Sequence, residues 1–217
     1  MKGIYFGEKQ IVSAAGFSPA EFAQVTGVIF NAGADVAEEN LGCPNVWDGG
    51  AQKGIASFSP VATHEILEAV EREVGVDANI LVKLSPFSNP ADLSEVASVL
   101  GESKLVKAVV TCNTFPNAFA IDGDGDPWIS PGGGLAGMAG PALKPIGMGQ
   151  VKQFRAQLPE RIQIVGVGGI RSGQDVLDYL RAGADAVAIA TSLVEEGPAV
   201  FSRILSEYVD LVESGEN

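Results

Sequence analysis

Positively charged residues are scarce in this sequence, and their scarcity excludes several classes of partner. Fourteen lysines and arginines stand against 27 aspartates and glutamates, so the formal net charge is −13 at pH 7. Such an acidic surface repels the phosphates of nucleic acids and the headgroups of anionic lipids. We therefore expect no nucleic-acid partner and no attachment to a membrane.

Cysteine and histidine are also rare. The two cysteines, Cys43 and Cys112, lie far apart in a chain without a recognisable signal peptide. This favours two reduced thiols over a disulfide framework, and we expect a cytoplasmic protein. The single histidine, His64, lacks the accompanying ligands of a metal site and the partners of a hydrolytic triad. The sequence predicts no metal.

Long hydrophobic runs are absent as well. The most apolar segments, such as 79–84 and 162–169, are much shorter than the roughly 20 residues of a membrane-spanning helix. At the same time 46% of the 217 residues are hydrophobic, which is enough for a substantial core. We predict one domain over residues 1–217, with no membrane span.

Six short β-rich segments alternate with stretches that carry helix signals. Ser18-Pro19, Ser59-Pro60 and Asn89-Pro90 each place a capping residue before a proline at the first helical position. Gly33 and Gly183 each end a predicted helix just before a strand. The alternation is typical of repeated βα units around a parallel sheet. The predicted strands span residues 9–15, 34–41, 79–85, 107–113, 162–168 and 186–192.

The glycine pattern decides between two such architectures. No dinucleotide-binding fingerprint follows the first strand, which favours an α/β fold of the (β/α)8 TIM-barrel type over an open doubly wound sheet. A closed barrel has eight strands, so we expect about six of eight βα units here and an N-terminally incomplete domain. Unpaired edges favour self-association, so we expect a homo-oligomer, most simply a dimer. Segment 116–145 is predicted to be a long functional loop.

Two loops follow the last two predicted strands. One contains Gly168-Gly169 and the other Ala190-Thr191. In barrels, the loops after the seventh and eighth strands commonly bind phosphate through exposed backbone N–H groups. A tight turn would explain Gly168-Gly169 alone, but the pair together favours a phosphorylated ligand.

Chemically active side chains lie at the ends of three other strands. Cys43 follows a strand and can act as a base or a nucleophile, while the amides of Asn40 and Asn45 can bind a substrate rich in carbonyl and N–H groups. Lys83 places a charge inside an apolar strand, which indicates a polar site. Asn113-Thr114 adds an amide and a hydroxyl. A buried structural cysteine and an ordinary turn are the alternatives.

Five segments share their order and spacing with a known family. They are NLGCPNV at 40–46, VKLSP at 82–86, NT at 113–114, GPALKP at 140–145 and GVGGI at 166–170. From about residue 10 onward the sequence resembles class 1 dihydroorotate dehydrogenase. The resemblance implies FMN as cofactor and oxidation of dihydroorotate to orotate in pyrimidine (UMP) biosynthesis. It further implies that Cys43 removes the C5 proton as hydride passes from C6 to N5 of FMN.

The resemblance also implies roles for individual residues. Asparagines and a threonine, namely Asn40, Asn45, Asn113 and Thr114, would contact the pyrimidine. The residues that would contact FMN are Asn40, Lys83, Cys112, Gly140, Gly168, Gly169, Ala190 and Thr191. Gly42, Glu39 and Ala190 depart from the family, which commonly has serine, an apolar residue and glycine there. The family's N-terminal strands and a lysine beside the flavin have no counterpart in this sequence.

Three alternatives stay open. The first is a related FMN enzyme acting on another reduced pyrimidine, which orotate binding would distinguish. The second is a non-catalytic FMN-binding barrel fragment, for which turnover is the test. The third is a phosphate-binding barrel isomerase or aldolase, which needs neither Cys43 nor a flavin and would be colourless.

Overall fold

The computed structural model describes residues 9–48 and 51–215. In this part of the chain ten strands occur, of which six form the main sheet and four form two small pairs. In chain order they are β1 (Ile11–Ala14), β2 (Val36–Asn40), β3 (Trp47–Asp48), β4 (Ala51–Gln52), β5 (Ile80–Leu84), β6 (Val106–Thr111), β7 (Phe115–Ala118), β8 (Ala136–Met138), β9 (Gln163–Val167) and β10 (Ala186–Ala188).

Seven α-helices accompany these strands in the described residues. They are α1 (Pro19–Asn31), α2 (Pro60–Val74), α3 (Pro90–Glu102), α4 (Lys144–Arg155), α5 (Gly173–Ala182), α6 (Thr191–Glu196) and α7 (Ala199–Glu213). The three predicted starts are confirmed, because the side chains of Ser18, Ser59 and Asn89 each accept a backbone N–H from the first turn of α1, α2 or α3. None of the described helices is both long and apolar enough to cross a membrane.

The main sheet has the order β1-β2-β5-β6-β9-β10, and every neighbouring pair is parallel. Each of the six predicted strands therefore exists, and the predicted α/β barrel type is confirmed. The last predicted strand, 186–192, is too long. β10 ends at Ala188, and Thr191 already begins α6 because the backbone turns at Ala190 (φ −134°, ψ −64°). Among residues 9–48 and 51–215 the six strands form an open barrel, with β1 and β10 at its edges.

Alternation along each strand separates two faces. The outer face carries residues such as Val82 and Val109, which are fully buried and belong to the large core beneath the helices. The inner face carries a smaller apolar cluster of Val36, Leu81, Ala108, Val110 and Val165. Because side chains alternate with period two, Glu38, Asn40 and Lys83 lie on the inner face near the carboxyl ends of β2 and β5.

Two antiparallel pairs occupy connections that leave these carboxyl ends. β3 pairs with β4 shortly after β2, and β7 pairs with β8 shortly after β6. Except for Phe115, the second pair lies within 116–145, so the prediction of a loop there is wrong in part: the segment contains most of a hairpin. At the exposed end of this hairpin, the Asp122 carboxylate accepts the backbone N–H groups of Asp124 and Asp126, as in a solvated turn.

Glu39 is a buried carboxyl on the outer face of β2. Its side chain is 0% exposed, its Oε1 accepts the hydroxyl of Thr26 on α1 at 2.6 Å, and its Oε2 has no hydrogen-bond partner. Burial raises the pKa of Glu39 from its ordinary value of 4.5 to about 7, against the lowering effect of the Thr26 hydrogen bond. The charge of Glu38 raises that pKa further.

We expect this carboxyl to make stability fall as pH rises. Its folded-state pKa lies above the unfolded value, so the folded state binds the proton more tightly and loses stability between pH 4.5 and about 7. A pKa shift of that size corresponds to a loss of about 3 kcal/mol in unfolding free energy. Urea unfolding from pH 4.5 to 8 should show this loss in the native chain and not in Glu39→Leu. Glu95→Leu, at an exposed site on α3, is the control. Parallel pH profiles for native chain and Glu39→Leu would contradict the expectation.

Candidate functional site

A cleft opens at the carboxyl ends of β5, β6, β9 and β10. Its empty volume is about 570 Å³, counting the space open to solvent. Nine residues singled out from the sequence lie on its wall. They are Lys83, Cys112, Asn113, Thr114, Gly140, Gly168, Gly169, Ala190 and Thr191. The parallel sheet brings these distant segments together because all its strands end at one edge.

The floor of the cleft is a glycine turn after β9. Gly168 and Gly169 have φ angles of 127° and 66°, which favour glycine. A Cβ atom on Gly169 would lie 2.9 Å from Lys144 Cβ and 3.0 Å from the carbonyl oxygen of Gly140. A side chain at this position would therefore push the turn away from the segment that begins α4.

Tyr179 supports this turn from α5, although it is not among the residues selected from the sequence. The side chain is fully buried, and its hydroxyl lies 2.8 Å from the carbonyl oxygen of Gly168, to which it can donate. Its ring fits against Gly166 of β9, where a Cβ atom would lie 2.3 Å from the ring. An aromatic residue on an amphipathic helix that faces a glycine of the neighbouring strand is the signal that could have identified it.

The rim of the cleft offers groups that suit an anion. The amides of the first residues of α6 have no partner within the helix, as at every helix start, and the hydroxyl of Thr191 lies beside them. Arg171 also lines the cleft, where its guanidinium pairs with Glu195 at 3.0 Å. Backbone N–H groups, a hydroxyl and a guanidinium together match the oxygens of a phosphate.

Lys83 projects into the cleft from the inner face of β5. Its Nζ lies 3.9 Å from Oε1 of Glu38, and that oxygen accepts the hydroxyl of Ser13 on β1 at 2.9 Å. Glu38 was not selected from the sequence, although it precedes Asn40 by two positions and so shares its face of the strand. The pair keeps a positive charge beside a carboxylate on the inner face of the sheet, next to the apolar cluster of that face.

The two thiols have different environments. Cys112 is 1% exposed, and burial raises the pKa of its thiol to about 12, despite the opposing effect of the nearby Lys83 charge. Cys112 therefore stays protonated near neutral pH and is excluded as a base. Cys43 is half-buried and free. In the part of the chain that the structure describes, no His, Cys, Asp and Glu residues cluster in a way that could hold a metal ion.

Cys43 and Asn40 line a second cavity rather than the cleft. This cavity lies between the starts of α1 and α2, with Phe17 and Lys53 on its wall. Asn45 is exposed and lines neither space. The structure therefore brings nine of the twelve predicted residues to the cleft and places Asn40, Cys43 and Asn45 beside it.

One hydrogen bond connects the two spaces. Nδ2 of Asn113, in the cleft, donates to Oδ1 of Asn40 at 2.9 Å, and Oδ1 of Asn113 accepts the backbone N–H of Thr114 at 2.7 Å. Gly42 lets the intervening loop run close to β5, because a Cβ atom there would lie 2.4 Å from the backbone nitrogen of Ser85. The two cavities thus share a wall of amide side chains.

Comparison with known proteins gives consistent matches. A "Dihydroorotate dehydrogenase A (fumarate)" from Lactococcus lactis subsp. cremoris is 32% identical over 206 residues, which are 92% of this chain and 63% of that protein. A "Dihydroorotate dehydrogenase B (NAD(+)), catalytic subunit" from Methanopyrus kandleri is 38% identical over 169 residues, 77% of this chain and 51% of the relative. The chain therefore spans less than two thirds of the length of these relatives.

A solved structure and a family model agree with these matches. The crystal structure of a ligand-free dihydroorotate dehydrogenase from Eimeria tenella superimposes with a TM-score of 0.71 at 22% identity, over 91% of this chain and 56% of that one. At this identity the superposition supports the fold. The family model described as "Dihydroorotate dehydrogenase" matches residues 8–212. With nearly the whole sequence covered by that match, the chain belongs to the dihydroorotate dehydrogenase family.

Proposed function

We propose that this protein binds FMN and oxidises dihydroorotate to orotate, a step of pyrimidine (UMP) biosynthesis, as a class 1 member of its family. The observation that carries the proposal is the cleft, where nine residues selected from the sequence lie around one space at the carboxyl ends of four parallel strands. Binding sites in barrels lie at this end of the sheet.

The FMN phosphate would lie between the turn at Gly168-Gly169 and the start of α6 at Ala190-Thr191. The turn can approach an anion closely because it has no side chains, and Tyr179 fixes it from below. Thr191 adds a hydroxyl, and Gly140 borders the same space. This donor set fits a phosphate monoester.

The flavin ring would extend toward Lys83, Cys112 and Asn113. When bound, FMN supplies a two-electron acceptor for hydride. Lys83 would place its ammonium group at the electron-rich edge of the ring. Asn40 would contact the ring from the second cavity, at the place where its amide oxygen accepts the amide of Asn113. The neutral, buried thiol of Cys112 would provide a close apolar contact.

Cys43 would act as the base. Its thiolate would take the proton from C5 of dihydroorotate, so that the C5–H bond breaks and an S–H bond forms. The electron pair of that bond would form the C5=C6 double bond, and the hydride released from C6 would pass to the two-electron acceptor that bound FMN supplies. Asn40, Asn45, Asn113 and Thr114 would hydrogen-bond the carbonyl and N–H groups of the pyrimidine. Asn45 is exposed on the loop that carries Cys43, so it would close over the ring from outside.

Location and assembly complete the proposal. Both described cysteines are free thiols, which supports a reducing compartment, and we propose the cytoplasm. Within the described residues β1 and β10 each have one strand neighbour, so each presents an edge, which supports self-association into a homodimer. Ile11 and Val12 of β1 are 44% and 38% exposed, so this edge is also apolar.

The test of the function is stepwise addition of FMN and then dihydroorotate. Purified chain should shift the FMN absorbance spectrum and melt at a higher temperature with saturating FMN, since a ligand of the folded state stabilises it. Anaerobic dihydroorotate should then bleach the flavin band. No spectral change and no stabilisation would contradict FMN binding, and would favour a flavin-free barrel enzyme. Bleaching by a reduced pyrimidine base, with no response to dihydroorotate, would favour the related FMN enzyme.

A further inference from the structure

We propose that Gln52 is a positioning residue that, with Asn117, holds the Cys43 loop against the β7–β8 hairpin. The inference rests on the proposed function in one respect, namely that Cys43 is the base. Gln52 itself touches neither cavity, so it would act through the loop and not on the reacting atoms.

The first support is the hydrogen-bond pattern of the Gln52 amide. Its Nε2 donates to the carbonyl oxygen of Pro44 at 2.7 Å and to Oδ1 of Asn117 at 3.0 Å. A side-chain amide nitrogen has two hydrogens, so each contact uses one of them. Pro44 directly follows Cys43, and Asn117 lies on β7, so one side chain joins two segments that are remote in sequence.

The second support is the packing beneath these bonds. Pro44 is buried, and β8 passes it at Gly137, where an added Cβ atom would lie 3.2 Å from Pro44 Cγ and 1.8 Å from the hydroxyl oxygen of Thr114. Gly137 therefore lets the hairpin lie close to both the Cys43 loop and a proposed substrate contact. Gln52 adds hydrogen bonds between the same loop and the same hairpin.

The arrangement has a mechanistic reason. Cys43 and the Asn113-Thr114 pair come from different loops, yet a base must stay within hydrogen-bond reach of the proton it removes. The Asn40–Asn113 hydrogen bond fixes the two loops where the strands end. The Gln52 contacts join the same two loops at a second point, at Pro44 and Asn117, which follow Cys43 and Asn113 in the sequence. Two points of attachment restrict rotation of the Cys43 loop more than one does.

The experiment measures alkylation of the Cys43 thiol by iodoacetamide in the purified chain. Gln52→Met keeps the length of the side chain and removes both donors. We expect it to raise the Cys43 rate constant by about 5- to 10-fold, the effect of losing two ordinary hydrogen bonds that hold a loop closed. Cys112, which is buried, should stay unreactive in the same molecules.

Four further variants make the result specific. Asn117→Gly tolerates the positive φ of 58° and removes the acceptor, and we expect an increase of about twofold because this contact is exposed to water. Asn117→Asp keeps an acceptor oxygen at this position, so its Cys43 rate constant should equal that of the native chain. The double variant Gln52→Met/Asn117→Gly should have the same Cys43 rate constant as Gln52→Met alone, because both changes break the same linkage between the loop and the hairpin. Gln153→Met, which removes an amide that bonds within α4, is the control and should leave Cys43 unchanged.

Two results would overturn the proposal. A native Cys43 rate in Gln52→Met would show that the amide does not restrain the loop. A parallel rise at Cys112 would show that Gln52 stabilises the fold as a whole. The assay needs neither FMN nor dihydroorotate, so absence of turnover would contradict the proposed function and leave this result standing.

Discussion

Replacing Cys43 by alanine is expected to lower the rate of flavin reduction by dihydroorotate by about 100- to 10,000-fold, the usual contribution of a general base. FMN affinity should stay near its native value, because Cys43 lines the cavity beside the cleft and not the cleft itself. Stopped-flow bleaching of the flavin gives the rate, and titration of the apoprotein gives the affinity. Both are measured again after adding an N-terminal segment with two further βα units.

Cys112→Ala is the matched control for this change. The buried thiol has a pKa of about 12, so it carries no charge near neutral pH and cannot accept the C5 proton. We expect a small decrease in rate with a modest loss of stability from the vacated volume. An equal loss in rate from the two variants, or a larger loss from Cys112→Ala, would show that Cys43 is not the base.

The second large effect is expected at the glycine turn of the cleft. Gly169→Ala should weaken FMN binding by about 10- to 100-fold, because the new methyl group would meet two neighbours and displace the backbone N–H groups that face the phosphate, a loss of about 1.4–2.8 kcal/mol in binding free energy. Those neighbours are Lys144 Cβ at 2.9 Å and the Gly140 carbonyl oxygen at 3.0 Å. The positive φ itself lowers the unfolding free energy and not the affinity, because the free and the bound protein carry the same strain. Fluorescence titration of FMN with the apoprotein measures the change.

Gly133→Ala separates backbone strain from the local collision. Gly133 has a φ of 65°, nearly that of Gly169, but no atom lies within 4 Å of an added Cβ atom. This variant should lose a similar amount of unfolding free energy while keeping its FMN affinity. An unchanged affinity in Gly169→Ala would mean that the phosphate is bound elsewhere, and the assignment of Gly168 would fail with it.

The sheet and most of the cleft could be predicted from the sequence, because both depend on local patterns. Backbone preferences that act over a few residues determine where the helices begin and end. Capping residues precede Pro19, Pro60 and Pro90 at three helix starts, and a strand follows the helix ends at Gly33 and Gly183. The carboxyl ends of parallel strands then meet at one edge whatever the details of packing. This is why residues selected one by one surround a single space.

Other features depend on contacts between distant segments and could not be predicted. The β7–β8 hairpin pairs Phe115 with Met138, across a glycine-rich stretch that has no strand pattern of its own. The separate cavity of Cys43 reflects the direction of a loop after β2, which Gly42 and Ser85 decide by close approach. Tyr179 contributes through the opposite face of β9, and its contact with Gly166 depends on how α5 packs against that strand, which short-range sequence patterns do not determine.

The position of the cleft at an open edge has a thermodynamic consequence. In the described residues β10 has β9 as its one strand neighbour, yet the segment just after β10 provides Ala190 and Thr191 to the cleft. A molecule bound in the cleft would contact β9, β10 and the segment after β10, and so would add contacts to β10 beyond those from β9. Binding and local ordering are then linked, because a ligand that contacts the edge strand also opposes its local opening. Amide hydrogens of residues 186–191 would exchange more slowly in the complex, while those of the central strand β5 would hardly change.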